Sequence, residues 1–458
     1  MESARAQGQA RDALQVHQKC EVRVRRLRDG RIEALRSPDS GARSTGPEHR
    51  SPGFSSNFMG RPYTGPGQGR GATMYINKRG LREIGSVLFK RPTVGRLVTT
   101  AWITPIYVGV RQTAATFRAL DEVLYPEYRD QKVERPVFVF ANPRSGTTLA
   151  HRLMSMDDEV FATVKLYQTI LPSITATKTI KRLMKLAQTS VGSVLHRAYD
   201  FFNNPLESRW QEVHHLSLDQ AEEDVATLLY SLTSPTTGLL FPFMEDLPSQ
   251  TWIDRQEPEE RNAFLDYYEN TIKRHVFEAG GKRFLNKNVF FSTRVRSVHE
   301  KFPDAAFVYL VRNPHDSLPS FLNMFYQAWK AHSPSIRPDG EEIQALKRLG
   351  YDYYRYALEC RKEIPEDQFI VIRYEDLIQD PKKAILDLYD RLGMPVSEAF
   401  EAKLDEAMVA HHEYESPRDF GLEFFGITRE EVSEELREVF EEFGYSTPEQ
   451  THYLEAAE

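Results

Sequence analysis

The chain has 458 residues, of which 40% are hydrophobic and 27% charged, so it can bury a large core and is longer than one typical domain. Its net charge of −7 argues against a general nucleic-acid binder. The two cysteines, Cys20 and Cys360, are too few for a disulfide framework and have no metal-ligand spacing, which favours a soluble protein of a reducing compartment, the cytoplasm.

The first seventy residues differ in composition from the rest of the chain. Residues 1–70 are rich in Arg, Gly, Ser and Pro, with thirteen Lys or Arg against seven Asp or Glu. Apolar periodicity is almost absent, so the segment is predicted to be disordered. It lacks the apolar core of a secretory signal peptide, and its scattered acids argue against a transit peptide. Met59 and Met74 leave open a translation start downstream of Met1.

Residues 71–134 are predicted to form a helical N-terminal extension. Its apolar run, residues 97–110, has fourteen residues and contains Pro105. Because a helix needs about 20 apolar residues to span a bilayer, this run is too short to cross one. We expect a core or capping helix here, and peripheral contact with a membrane surface is the alternative.

Residues 136–156 predict a strand, a loop and a helix in succession. The apolar run 137–140 reads as a buried strand, Asn142 and Pro143 break it, and apolar residues then recur at helical spacing. Free N–H groups and the dipole at the start of such a helix favour an anion, and Gly146 lets the backbone approach it closely. The loop also offers one cation and three hydroxyl groups, from Arg144, Ser145, Thr147 and Thr148. The pattern predicts a phosphate or sulfate site.

This loop differs from the P-loop of nucleoside triphosphatases, GxxxxGK[ST]. Ala141 stands at the first Gly position, and Thr147 stands where that motif has its Lys. A kinase function is therefore less favoured, whereas an anion-binding loop is retained. The sequence Pro-Arg-Ser-Gly-Thr-Thr of residues 143–148 resembles the 5′-phosphosulfate loop of sulfotransferases that use 3′-phosphoadenosine 5′-phosphosulfate (PAPS).

The segment 151–280 reads as mostly helical and is where we expect the acceptor to be bound. Residues 210–224 resemble the acidic substrate-side segment of bacterial-type sulfotransferases. There, Glu222 and Glu223 precede an apolar helix, residues 225–230, so they either complement its dipole or include a general base, for which Glu223 is the candidate. His214 and His215 are alternative bases because an ordinary histidine titrates near neutral pH.

Two further strands are predicted to bring cations to the same edge of the sheet. Residues 283–287 end in Lys287, and the apolar run 306–311 is followed by Arg312. Ligands of open α/β sheets gather at the carboxyl ends of the strands, where Arg144 also lies. The resemblance implies that Arg312 and Ser320 bind the 3′-phosphate of PAPS. Cytosolic members place a His after the lysine that Lys287 matches, but this chain has Asn there, so it is closer to the divergent bacterial type.

The last part of the predicted core follows a third apolar run. Residues 369–377 resemble the Tyr-Glu-Asp-Leu segment that closes the sulfotransferase core, with Asp380 as cap, Pro381 at the first helical position and Gly393 as terminator. Residues 411–414 and 420–422 resemble a segment that folds over the nucleotide. The sulfotransferase domain is predicted to span residues 135–425, and residues 426–458 to form an acidic helical tail.

Together these patterns predict an α/β fold, with a P-loop-like three-layer α/β/α core, a mostly parallel sheet and a helical substrate-binding insertion. The expected reaction is in-line transfer of the sulfuryl group of PAPS to a small-molecule hydroxyl acceptor, a lipid, polyketide, phenol or carbohydrate, without a metal. The expected catalytic residues are Arg144, Lys287 and Glu223. The expected donor-binding residues are Arg144, Ser145, Gly146, Thr147, Thr148, Arg312 and Ser320. A nucleotide-dependent kinase and a non-catalytic nucleotide-binding protein are the alternatives, and nothing in the sequence indicates the oligomeric state.

Overall fold

A computed structural model of the chain describes residues 74–187, 221–411 and 420–446. Five strands form one parallel sheet in the order β2-β3-β1-β4-β5, with β1 at its centre. The strands are β1 (Val137–Ala141), β2 (Phe161–Thr163), β3 (Arg283–Lys287), β4 (Ala306–Val311) and β5 (Phe369–Arg373). The loops after β3, β1 and β4 therefore open side by side at the carboxyl edge of the sheet.

Helices make up most of the remaining described chain. In chain order they are α1 (Lys78–Leu88), α2 (Val94–Leu124), α3 (Thr147–Ser155), α4 (Leu166–Ile170), α5 (Ile174–Ala187), α6 (Val225–Tyr230), α7 (Pro248–Thr251), α8 (Pro258–Glu278), α9 (Val295–Lys301), α10 (Pro314–His332), α11 (Glu341–Glu363), α12 (Tyr374–Gln379), α13 (Pro381–Arg391), α14 (Glu398–His411), α15 (Arg429–Glu435) and α16 (Arg437–Phe443).

Both faces of the sheet are covered by helices, because the central strands are apolar at every position. One face is aromatic and packs against α8, α10 and α11; it is formed by Phe138, Phe140, Phe284, Phe307, Tyr309 and Phe369. The other face is aliphatic and packs against α3, α13 and α14; it includes Val137, Val139, Leu285, Val308, Leu310 and Ile370. The predicted three-layer α/β/α class is thereby confirmed.

The predicted helix caps after β4 and β5 are also confirmed. The side chain of Asn313 accepts a hydrogen bond from the His315 amide, and Pro314 occupies the first position of α10. Asp380 likewise accepts from the amide of Lys383 at the start of α13. These caps fix where each helix begins, and so fix the direction in which the loops at the sheet edge are held.

Two parts of the structure differ from what the sequence predicted for them. The strand β2 lies in the segment predicted to be mostly helical; it has only three residues, Phe-Ala-Thr, and pairs with β3 from Phe161 opposite Arg283. At the other end of the chain, α15 and α16 lie in the segment predicted as a helical tail. They bury Val432 and Phe440 in the same core as α11.

Residues 97–110 form a helix as predicted, but the expectation that their apolar side chains join the core was wrong. These residues belong to α2, a helix of 31 residues that contains Pro105 and leaves Val98, Trp102 and Ile106 exposed. No described helix is long and apolar enough to cross a membrane. The expectation failed because α2 is attached to the protein through its polar residues rather than through its apolar ones.

One attachment of α2 is the buried carboxylate of Asp121. It accepts hydrogen bonds from the backbone amides of Ile174 and Thr175 at 3.0 and 2.8 Å, and from the hydroxyl of Ser173 at 2.9 Å, and so caps the start of α5. It also pairs with the Nε of Arg274 on α8 at 3.0 Å. Because every part of this carboxylate is satisfied, a charge can be buried beneath α2.

Candidate active site

The loop between β1 and α3 has a backbone that is suited to a bound anion. Arg144 and Gly146 both adopt left-handed conformations, with φ of 71° and 84°. The turn leaves the first N–H groups of α3 without intrahelical acceptors. A Cβ atom on Gly146 would lie 2.7 Å from Cδ2 of Tyr374, so the loop needs glycine both for its conformation and for the close approach of this ring. Asn142 anchors the loop by donating to the carbonyl of Gly350 at 3.0 Å.

Two arginines meet beside this loop. The Nε of Arg144 donates to the Oγ of Ser320 at 3.1 Å, and Nη1 of Arg312 donates to the carbonyl of Arg144 at 2.9 Å. The guanidinium of Arg312 also lies over the ring of Tyr374, 4.3 Å from its centre. Within the described residues no carboxylate pairs with either arginine. Two positive charges are thus held side by side, as an anionic ligand would require.

Lys287 reaches the other side of the loop from the end of β3. Its side chain is buried, and Nζ lies 3.1 Å from Oγ1 of Thr148 and 2.9 Å from Oε1 of Glu223. Thr148 belongs to the first turn of α3, and Glu223 comes from the segment before α6. One ammonium group therefore joins the anion-binding loop to the predicted acceptor side.

The segment that carries Glu223 is held on both sides. Before it, Ala221 pairs with Lys165 in an antiparallel bridge, and the amide of Glu222 donates to the carbonyl of Val164 at 2.8 Å. These contacts lie just after β2, so they bring the segment to the carboxyl edge of the sheet.

After Glu223, the buried carboxylate of Asp224 accepts from the hydroxyl of Tyr268 and from Nδ2 of Asn288, each at 2.6 Å. Asn288 directly follows the buried Lys287. The same short segment is therefore tied to β3 and α8, and Glu223 has little freedom to move away from the lysine.

Burial shifts the pKa of three groups around the site. It raises the pKa of Glu222, and the nearby Lys287 opposes this change. Burial likewise raises the pKa of Asp224. In α3, burial lowers the pKa of His151 to about 3, with a smaller contribution from the charge of Lys287. His151 is therefore neutral at physiological pH and adds no further cation to the site.

The structure brings most of the predicted site residues together. Arg144, Arg312 and Ser320 form one group, and Lys287, Thr148 and Glu223 form the other. Ser145 and Thr147 are buried, and the Oγ of Ser145 has no hydrogen-bond partner within the described part of the chain. His214, His215 and residues 412–414 lie outside the described residues, as does the side chain of His411.

Sequence reasoning missed the part that Tyr374 plays. The sequence predicts only a segment that closes the core at residues 374–377, whereas Tyr374 packs against Gly146 and under Arg312. The available signal was the position of Tyr374 directly after β5, the strand next to β4. A residue there lies at the same sheet edge as Arg312 and can reach it.

The residues present fit the two ends of PAPS. The conformation of Gly146, the unpaired Oγ of Ser145 and the arginines without a carboxylate partner suit an anion at the loop. Arg312 and Ser320, on the neighbouring strand and helix, are the predicted residues for a second phosphate. Among the described residues there is no cluster of three His, Cys, Asp or Glu side chains that could hold a metal.

Comparisons with known proteins identify the family of the chain. Residues 136–398 match the model of the sulfotransferase family. Over 328 residues the chain is 26% identical to an omega-hydroxy-beta-dihydromenaquinone-9 sulfotransferase, Stf3, from Mycobacterium bovis, covering 69% of this chain and 76% of that protein. The same values hold for Stf3 from Mycobacterium tuberculosis.

Two solved structures share the fold. The sulfotransferase STF9 from Mycobacterium avium superposes with a TM-score of 0.62 at 16% identity, covering 75% of this chain and 85% of that one. The sulfotransferase STF1 from M. tuberculosis gives a TM-score of 0.53 at 20% identity, covering 80% and 99%. Since the family model covers more than half of the chain, the protein belongs to the sulfotransferase family, whose members take the sulfuryl group from PAPS.

Proposed function

We propose that this sulfotransferase moves the sulfuryl group of PAPS to a hydroxyl group of an apolar, lipid-like acceptor. The observation that carries the proposal is the position of Lys287, whose Nζ is within hydrogen-bond distance of Thr148 on the donor loop and of Glu223 on the acceptor side. The lipid class of the acceptor is supported by the name of the Stf3 relatives, which act on a hydroxylated menaquinone. The low cysteine content favours the cytoplasm as the compartment.

In this proposal the donor is held by two sets of residues. Arg144, Ser145 and the amides at the start of α3, from Gly146 to Thr148, bind the 5′-phosphosulfate. Arg312 and Ser320 bind the 3′-phosphate, with the guanidinium of Arg312 kept in place by Tyr374. Bound PAPS supplies an activated sulfuryl group with a good phosphate leaving group. Charge-assisted hydrogen bonds of this kind are among the stronger ones in proteins.

The chemical step is an in-line displacement at sulfur. Glu223 accepts the proton of the acceptor hydroxyl while the new oxygen–sulfur bond forms and the bond from sulfur to the 5′-phosphate oxygen breaks. Lys287 and Arg144 stabilise the negative charge that develops on the departing phosphate. The pairing of Glu223 with Lys287 keeps the carboxylate within reach of that position. Because the chain's own cations compensate the charge, the proposed reaction needs no metal.

The alternatives make different predictions. A kinase would require ATP and magnesium, but Thr147 stands where the kinase loop has its lysine. A non-catalytic protein would bind the donor without transferring its sulfuryl group.

The test is a transfer assay with ³⁵S-labelled PAPS in the presence of EDTA. The acceptors are a hydroxylated prenyl quinol, a long-chain alcohol, a phenol and a sugar. We expect label to appear on the quinol or the alcohol, and this activity to depend on Glu223. Transfer to the sugar alone would contradict the lipid assignment. Donor binding with no transfer to any of the four would favour the non-catalytic alternative.

A further inference from the structure

The long helix α2 buries charged side chains and exposes apolar ones, which is the reverse of a helix on the surface of a water-soluble protein. Its buried residues are Arg96, Ala114, Arg118 and Asp121. Its exposed residues between positions 94 and 120 include no charged side chain at all. A surface helix normally buries its apolar stripe and exposes its charges. On α2 the charged residues point inward and the apolar ones outward.

The exposed apolar side chains are large and close together. Trp102 is 71% exposed and Val98 is 62% exposed, and Ile106 and Val108 lie on the following turns, each more than half exposed. At 1.5 Å per residue, the apolar stretch from Val94 to Val108 is about 20 Å long. A continuous exposed patch of this kind marks an interaction surface rather than ordinary surface composition.

The inward-pointing charges are part of a rigid attachment. Arg118 donates to Oγ1 of Thr271 at 2.9 Å and to the carbonyl of Pro172 at 3.2 Å, and Asp121 pairs with Arg274. The helix could not rotate to bury its apolar side without breaking these contacts and leaving the charges unpaired, which is costly. The apolar face of α2 is therefore fixed outward.

Exposed bases lie on α1, whose start is held near α2 because Arg111 donates to the carbonyl of Tyr75. Of the eight Lys or Arg in residues 76–120, three lie on α2 and bond inward to the protein, and three others form ion pairs with acids. On α1, Lys78 and Arg82 are exposed and form no ion pair within the described residues; Leu81 on the same helix is also exposed, as is Phe89, which directly follows the helix and is 70% exposed. Apolar side chains flanked by bases are typical of a surface that lies in the interface of an anionic bilayer. Trp is also enriched at that depth.

We propose that the apolar face of α2, together with the exposed bases of α1, docks the enzyme on an anionic lipid bilayer. Val98, Trp102 and Ile106 insert below the headgroups, while Lys78 and Arg82 contact the lipid phosphates. α2 also holds the end of α6, since the hydroxyl of Tyr107 and the Nε of Arg111 donate to the carbonyl of Tyr230 at 3.2 and 3.1 Å. The docking helix α2 is therefore bonded directly to the segment that follows Glu223.

Docking is tested with vesicles and without any measurement of activity, so its failure is distinct from failure of the proposed reaction. The full chain is mixed with phosphatidylcholine vesicles containing a quarter phosphatidylglycerol, and sedimentation gives the partition coefficient. The test variant is Val98→Glu with Ile106→Glu. The matched control is Val409→Glu on α14, a side chain that is 81% exposed. We expect the double variant to bind at least tenfold more weakly, and V409E to bind within twofold of the wild type.

Brominated lipids then locate the contact. The experiment uses a Trp210→Phe background, and we expect the lipids to quench tryptophan emission there and most of this quenching to be lost when Trp102→Phe is added, since Trp252 and Trp329 are buried. Equal quenching with and without W102F, or equal vesicle binding by the double variant and V409E, would overturn the proposal. The proposal would also be overturned if the wild type were a dimer that does not bind vesicles and the double variant were a monomer, because α2 would then contact a second copy of the chain. Emission from Trp102 that is already blue-shifted and insensitive to vesicles would show that the chain itself covers α2.

Discussion

Replacing Gly146 by alanine tests how the donor loop and Tyr374 depend on one another. The substitution places a Cβ in a left-handed backbone, which costs about 1–2 kcal/mol. It also places that Cβ 2.7 Å from the ring of Tyr374, so the ring must move. Overpacking of this kind costs about 1–3 kcal/mol. The sum predicts that G146A loses about 2–5 kcal/mol of stability. Because the ring supports Arg312, affinity for 3′-phosphoadenosine 5′-phosphate should also fall at least tenfold.

Gly281 provides the matched control. Its φ of 85° is within one degree of that of Gly146, but its nearest neighbour to an added Cβ is the side chain of Gln131 at 3.9 Å. G281A should therefore lose only the backbone contribution, about 1–2 kcal/mol, and bind the nucleotide like the wild type. Urea unfolding and titration calorimetry of both variants measure the two effects. Equal stability losses in G146A and G281A, or unchanged nucleotide affinity in G146A, would refute the reasoning.

Three further predictions concern the acceptor side and α3. Glu223→Gln should lower kcat by roughly 10²–10⁴-fold as expected for a general base, whereas Glu222→Gln should cost less than tenfold; equal losses in steady-state assays would reject Glu223 as the base. Lys287→Met should lower kcat by roughly 10²–10³-fold, and a normal rate at saturating PAPS would contradict its role. The buried His151, whose pKa is lowered from 6.5 to about 3, binds a proton more readily in the unfolded chain, so stability is lost as pH falls below 6.5. The loss amounts to about 2 kcal/mol at pH 5. His151→Gln should remove this loss. If the free energy of unfolding in urea differs between pH 7.5 and pH 5 by as much in H151Q as in the wild type, His151 is not the cause.

The strands and the loops that follow them could be predicted from the sequence because apolar runs and capping residues are local patterns. The runs that became β1, β4 and β5 are apolar at nearly every position, and the capping residues Asn313 and Asp380 mark the starts of α10 and α13. Since the carboxyl ends of parallel strands meet at one edge, the convergence of Arg144, Lys287 and Arg312 followed from the strands alone. The strand β2 was missed because three residues give no periodic signal.

The remaining features depend on contacts between distant parts of the chain. Glu223 meets Lys287, and Tyr374 meets Gly146, through tertiary packing that no local pattern encodes. The error for α2 has the same cause. An apolar run of fourteen residues suggests a buried helix, but the partner of Asp121 is Arg274, on a helix far along the sequence. Only that pairing decides which side of α2 faces inward.

The central claim, that the site binds the PAPS nucleotide, is tested most directly by titration calorimetry with 3′-phosphoadenosine 5′-phosphate. The wild type is compared with Arg312→Ala and, as a control, with Arg348→Ala, an exposed arginine that pairs with Glu245. ATP with magnesium is titrated in parallel. We predict magnesium-independent binding that weakens by about 1.5–3 kcal/mol, roughly 10- to 150-fold, in R312A alone. Absence of binding, equal affinity in R312A and the wild type, or a preference for ATP with magnesium would contradict the claim.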